Sequence, residues 1–213
     1  MNIVMFSVYN EPKIINNFLT PEECKFLIDY KNEDLVKSLT SASNGISMKL
    51  SNYRISKHKS IYDFSHPTLQ KIYNICSKIT KKDIKYFEPF QVVHYETGGH
   101  YSDHYDYSEP VPRIYTFIIY LNEDYEGGET YFTKLNKKFK LKCGDALFFP
   151  NLDSNNNITE LSLHKGSVVK SGEKWICNIW IHSRPLEESH AWYSPANLAP
   201  LGILKTLIPS YIR

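Results

Sequence analysis

The chain has 213 residues, 42% hydrophobic and 14% aromatic, enough for one domain with a sizeable core, with or without a tail. A formal net charge of +2 is too balanced for the overall field to argue for a nucleic-acid partner, and no apolar stretch approaches membrane-spanning length. The scattered cysteines Cys24, Cys76, Cys143 and Cys177 form no Cys-X-X-Cys pair, so neither a zinc site nor a disulfide framework is indicated.

Met1-Asn2-Ile3-Val4-Met5-Phe6 lacks a basic leader region, and Tyr9-Asn10-Glu11-Pro12 interrupts its apolar run. With the reduced thiols this sets the expectation of a cytoplasmic protein with no membrane partner. Residues 14–19 read as a short strand or the approach to a helix. Thr20-Pro21-Glu22-Glu23 is a helix start, with Thr20 as cap, Pro21 at the first helical position and Glu23 closing a capping box. A polar stretch and a Ser-rich loop follow to Gly45. Ser65-His66-Pro67 opens a second helix, in which Leu69, Ile72, Tyr73, Cys76 and Ile79 form an apolar stripe expected to pack on the outside of a sheet. From Pro89 the pattern changes. Residues 90–95, 114–121, 146–149 and 174–183 are rich in β-branched and aromatic types and read as strands separated by Gly, Asn, Asp and Pro turns. Residues 152–163 are Asn-rich and read as a loop leading to His164. The basic runs 78–85 and 134–142 read as solvated faces. Strands after a helical half suggest a jelly roll buttressed by helices, though the pattern alone does not separate it from other sandwiches.

His104-Tyr105-Asp106 places an imidazole and a carboxylate at i and i+2, on one face of an extended strand. His164 is distant in sequence and must arrive from another strand. Two histidines and a carboxylate on adjacent corners of an octahedron form the facial triad of non-haem Fe(II) oxygenases, with three positions open. Zinc accepts the same donors, and His-X-Asp alone also occurs in solvated surface turns. Further parts narrow the choice: Tyr95, Leu121-Asn122, the run Gly127-Gly128-Glu129-Thr130-Tyr131-Phe132, and Lys174 ten residues after His164.

This order of parts resembles the prolyl 4-hydroxylase family of Fe(II)- and 2-oxoglutarate-dependent dioxygenases, over roughly residues 18–184. The resemblance implies an α+β fold with a double-stranded β-helix (jelly roll) core buttressed by N-terminal helices. The dioxygenase domain is expected at 1–189, with helical support at about 14–82 and the jelly roll at about 87–184; beyond the matched stretch, the Leu and Ile residues of the C-terminal tail, 190–213, are expected to pack on it, with contact to a second subunit or to substrate as the alternative. The resemblance implies Fe(II) on His104, Asp106 and His164, 2-oxoglutarate as co-substrate, O2, and ascorbate in support. Lys174 becomes the partner of the 2-oxoglutarate 5-carboxylate. In the strand from 174, Lys174, Ile176, Asn178, Trp180 and His182 share one mixed face, while Trp175, Cys177, Ile179 and Ile181 share an apolar one. A lysine on a buried strand face is costly unless paired; the bland alternative is a frayed strand start with the ammonium in water. Lysine rather than arginine at this position resembles the collagen-type branch.

The same resemblance assigns Tyr95, Thr130 and Tyr120 to 2-oxoglutarate, and Arg54, Tyr101, Arg113, Trp180 and His182 to peptide substrate. A loop over the site would include Arg54 and residues 57–62. Alternatives stay open: Arg54 as a surface salt-bridge partner, Tyr95 and Tyr120 as core tyrosines, Trp180 as packing. His94 and His100 read as structural. Val168 stands where the family often has proline, with the His164 to Lys174 spacing preserved. The implied reaction hydroxylates peptidyl proline and converts 2-oxoglutarate to succinate and CO2. The alternatives are hydroxylation of a free amino acid or other small molecule, or a non-catalytic jelly-roll binding protein. The expected partner is a proline-containing peptide or protein, with monomer and homodimer both open.

Overall fold

The computed structural model describes residues 8–30, 32–41, 48–49, 52–61, 66–107 and 111–186. The 190–213 tail lies outside the described residues. The Thr20 hydroxyl accepts the Glu23 amide at 3.3 Å, and the Glu23 carboxylate accepts the Thr20 amide at 2.8 Å. This is the expected capping box, which stabilises a helix start by about 1 kcal/mol, and it opens helix Pro21–Asp29, with Cys24 and Leu27 buried. Helix Pro67–Thr80 is capped by the His66 ring, whose Nδ1 accepts from the Thr68 amide at 3.2 Å while the ring stacks on Phe26. Leu69, Ile72 and Cys76 of its stripe are buried. Ile79 departs from the expectation: it is 40% exposed, in the last turn before Lys81 takes a left-handed conformation. No helix among the described residues is long and apolar enough to cross a membrane.

Two antiparallel sheets carry the core. The larger runs Lys13–Ile15, Ala146–Pro150, Arg113–Tyr120, Lys174–His182, Phe90–Tyr95, Lys57–Ile61, Val36–Lys37. The smaller runs Lys137–Phe139, Thr130–Phe132, His164–Gly166, His100–His104, Arg54–Ile55, and a short pair joins Tyr125–Gly127 to Val169–Gly172. This alternation of strands between two facing sheets is the expected double-stranded β-helix, with helices on the outer face of the large sheet. Phe90, Val92, Phe117, Ile119, Cys177, Ile179 and Ile181 pack against Leu27, Leu69 and Ile72 on the helix side. Val93, Ile118, Tyr120, Leu147 and Ile176 face Phe132 and Val169 between the sheets. The period-two alternation of the 174–182 strand therefore divides its side chains between helices and interior as expected. Gly144 is required where segment 17–19 packs on the turn before Ala146–Pro150: at φ +87°, an added Cβ would lie 2.2 Å from the Leu19 carbonyl oxygen.

The loop implied at 57–62 is not a loop over its described part. Lys57–Ile61 is a strand of the large sheet, with Lys59 opposite Val92. Its polar composition conceals the alternation: Lys59 is buried, its ammonium donating to the Ile28 carbonyl at 2.6 Å, and Ile61 joins the helix-side core. Tyr62 lies outside the described residues.

Ile72→Ala should destabilise the fold by about 2–5 kcal/mol, whereas Ile79→Ala should change it by no more than about 0.5 kcal/mol. Urea midpoints of the two variants decide this; equal losses would contradict the packing described.

Candidate functional site

The antiparallel pairing of His100–His104 with His164–Gly166 sets His164 directly opposite His104. Asp106 lies two residues past the end of its strand rather than within it. The chain bends there, with Tyr105 outward and Asp106 buried. One ligand atom from each of His104, Asp106 and His164 lies within 4.8 Å of the others. His104 Nε2 is 3.7 Å from Asp106 Oδ1, and His164 Nε2 is 3.7 Å from Oδ2, too long for hydrogen bonds. Each ring instead bonds a carbonyl two residues back through Nδ1: His104 to Ser102 at 2.8 Å, His164 to Ser162 at 2.9 Å. A carbonyl oxygen only accepts, so Nδ1 carries the proton on both rings and the Nε2 lone pairs face the carboxylate.

Burial, then the neighbouring His164, pushes the His104 pKa down to about 3, so its ring is neutral and able to ligate. Burial opposes ionisation of Asp106. The carboxyl is nevertheless held below its ordinary value, and among the neighbours that act on it Arg113 carries a permanent positive charge. Thr116 donates its hydroxyl to Asp106 Oδ2 at 2.9 Å. Two imidazole lone pairs and a buried carboxylate converging at non-bonding distance suit a divalent cation.

Lys174 faces the same cavity from the large sheet and is 2% exposed. Its ammonium donates to the Gly128 carbonyl at 2.7 Å and lies over the rings of Tyr95 and Tyr120, at 5.5 and 5.4 Å. Gly128, at φ +65°, admits this approach; an added Cβ would sit 3.2 Å from Lys174 Cδ. No carboxylate among the described residues forms an ion pair with it, and burial lowers its pKa to about 7 against the opposing pull of Glu129. Asn178 Oδ1, on the same strand face, is buried without a hydrogen-bond partner. Tyr95, Thr130, Ile118 and Ile176 complete the walls between triad and lysine. The cavity lining thus combines a cation-seeking triad with an anion-seeking ammonium, the two kinds of group that Fe(II) and a dicarboxylate would require.

The remaining predicted residues divide. The Thr130 hydroxyl lines the cavity and bonds the Tyr120 hydroxyl at 2.8 Å; Tyr120 stands behind it, also reaching the Phe139 carbonyl at 3.1 Å. Tyr101 stacks on His104 with centroids 3.5 Å apart, and the Arg54 guanidinium lies over Tyr101 at 4.9 Å. Arg54 is buried rather than at the surface, donating to Ser56 and Gln91 at 3.0 and 3.1 Å. Trp180 lines the cavity under Arg113, 4.2 Å from ring to guanidinium. Arg113 and His182 do not line it. Both grip Glu88: Arg113 through Nε to Oε1 and through Nη2 to Oε2 at 2.9 Å, His182 through Nε2 to Oε1 at 2.6 Å. Burial alone would raise the Glu88 pKa, but these two partners bring it down to about 2. Nothing in the sequence pattern marks Glu88, whereas Asn178 is legible from its parity with Lys174 and Trp180. His94, stacked on Trp175 and 3.0 Å from Glu173, points away from the site. The ring nitrogens of His100 lie 3.1 and 3.0 Å from the Gly98 and Asn52 carbonyls.

A family model described as the 2OG-Fe(II) oxygenase superfamily matches residues 90–182. A protein of Acanthamoeba polyphaga mimivirus named putative prolyl 4-hydroxylase is 35% identical over 191 residues, spanning 83% of this chain and 76% of the relative. Prolyl 4-hydroxylase 13 of Arabidopsis thaliana is 30% identical over 208 residues, spanning 86% and 76%. The solved structure of the viral collagen prolyl hydroxylase of Paramecium Bursaria Chlorella virus-1, in its complex with 2OG, aligns with a TM-score of 0.65 at 28% identity, covering 82% of this chain and 97% of that one.

The depressed Lys174 pKa has a stability consequence without co-substrate. Between the ordinary value of 10.5 and about 7, the unfolded chain holds this proton more tightly than the folded one. Stability from this group is therefore full above the upper value and falls as pH drops through the window. Lys174→Met should remove that loss, so its melting temperature should exceed that of the wild type by a margin that grows as pH falls towards 7. A constant margin would contradict the buried, acid-free ammonium.

Proposed function

Because this chain belongs to the prolyl 4-hydroxylase family of 2OG-Fe(II) oxygenases, we propose that it hydroxylates C4 of proline in a peptide or protein, with His104, Asp106 and His164 holding iron and Lys174 holding 2-oxoglutarate. Membership makes the chain a dioxygenase that uses Fe(II), 2-oxoglutarate and O2. The observation that carries the residue assignment is one cavity lined both by two imidazole lone pairs with a carboxylate and by a buried ammonium that meets no acid among the described residues.

When bound, Fe(II) with 2-oxoglutarate and O2 supplies the oxidising power to place one oxygen atom on an unactivated carbon, with succinate and CO2 as the other products. The chain's own part is to hold and exclude. The Nδ1–H bonds to Ser102 and Ser162 keep His104 and His164 in the ligating tautomer. Lys174, held between Tyr95 and Tyr120, orients the far carboxylate of the co-substrate by a charge-assisted bond of roughly 1.5–3 kcal/mol. The Thr130 hydroxyl, backed by Tyr120, and the partnerless Asn178 amide oxygen supply further polar contacts. Ile118 and Ile176 help keep water out. Tyr101, between the His104 ring and the Arg54 guanidinium, and Trp180, beneath Arg113, give the cavity two aromatic lining groups beside the metal ligands.

His164→Ala should abolish succinate formation while the circular dichroism spectrum stays native. Lys174→Ala should chiefly raise the 2-oxoglutarate concentration needed; an unchanged requirement refutes its assigned role. With wild-type protein, proline-rich peptides should stimulate 2-oxoglutarate turnover and gain one oxygen atom on proline by mass spectrometry. Stimulation by free proline alone would replace the peptide reading with a small-molecule one. No turnover with either substrate would favour a binding protein.

A further inference from the structure

Thr116, Asn151 and Ser162 lie outside the cavity lining and are 0%, 2% and 2% exposed. Water does not compete for polar groups buried this deeply, so their partners are informative. Thr116 Oγ1 is 2.9 Å from Asp106 Oδ2 and 3.0 Å from Asn151 Nδ2. A carboxylate only accepts and an amide nitrogen only donates, so the Thr116 proton goes to Asp106 and its lone pair receives the Asn151 amide. Asn151 Oδ1, 3.3 Å from the same hydroxyl, is the weaker competitor for that proton. The Asn151 backbone amide donates to the Ile114 carbonyl at 3.0 Å, and the single Ser162 hydroxyl proton faces two carbonyls, Thr159 at 2.8 Å and Asn151 at 3.1 Å, of which Thr159 is the nearer acceptor. The Ser162 carbonyl anchors His164 Nδ1. Hydrogen bonds thus tie Asp106 to Asn151 through Thr116, and the Asn151 carbonyl lies against Ser162, whose own carbonyl anchors the His164 ring.

Asp106 needs such restraint more than its neighbours do. His104 and His164 each sit in a strand and have a backbone carbonyl to hold the ring. Asp106 lies past its strand, in a bend. We propose that Thr116, its hydroxyl oriented by Asn151, is a positioning residue for the metal site: by donating to Oδ2 it fixes the Asp106 carboxylate towards the two Nε2 lone pairs. This rests on the reading of His104, Asp106 and His164 as the iron ligands. Outer groups of this kind typically change metal affinity 10–100-fold.

Co(II), followed by its visible absorption, reports the site without turnover. Wild-type protein should bind it and His164→Ala should not; absence of that difference refutes the ligand assignment itself. With that difference established, Thr116→Val should weaken Co(II) binding about 10–100-fold and alter the absorption bands. Thr116→Ser, which keeps the hydroxyl, should bind within a few-fold of wild type. Wild-type affinity and spectrum in Thr116→Val, or an equal loss in Thr116→Ser, overturns the proposal. Thermal unfolding of the metal-free variants identifies any that fail to fold. Should Thr116→Val be one, Asn151→Ala decides: weakened binding and shifted bands support the role, and wild-type values overturn it.

Discussion

The register between two short strands is the constraint on which the site depends. His164 stands opposite His104, but the next recorded pair is Gly166 with Tyr101, so the ladder slips between them. A regular strand would send residues 101 and 104 to opposite faces. The irregularity instead lets Tyr101 stack on His104 while both border the cavity. A further slip of one residue would turn a ligand to the outer face. The Phe132 and Phe149 rings pack around His164, at 5.2 and 5.1 Å between centroids, and oppose that slip.

Buried charge is the second theme, and it divides the interior by whether its partners are present. Glu88, Arg113 and His182 satisfy one another. Such closed sets can stay buried without a ligand. The triad and Lys174 are different. The Nε2 lone pairs and the carboxylate approach without bonding, and the ammonium has a carbonyl and two ring faces but no acid among the described residues. Desolvation of these groups disfavours the ligand-free protein, and the same desolvation strengthens attraction to a cation and a dicarboxylate once they enter.

Much of this was legible from residue pattern. The capping box at Thr20, the stripe Leu69, Ile72 and Cys76, and the alternation from Lys174 to His182 follow from helix and strand periods, which are local properties. The candidate ligands were legible too, because His-X-Asp, a later histidine and a lysine ten residues beyond form an order along the chain. Lys57–Ile61 was not legible as a strand, because a lysine reads as solvent-facing unless one knows that the Ile28 carbonyl waits for its ammonium. Arg113 and His182 were legible as special residues but not in their engagement, since Glu88 meets them only across folded strands.

By itself, then, the amino-acid order determined the two helices, the principal large-sheet strands, the two faces of the 174–182 strand and the set of metal-binding candidates, all of which depend on neighbours a few residues apart or on a recurring series of residue types. Tertiary structure alone decided which tautomer His104 and His164 hold, that Asp106 is steered by Thr116, and that Lys174 meets no acid among the described residues. Those outcomes depend on contacts between segments such as 104–106, 116, 151 and 162–164, and hydrogen bonding of buried groups is settled only when strands far apart in the chain are laid against each other.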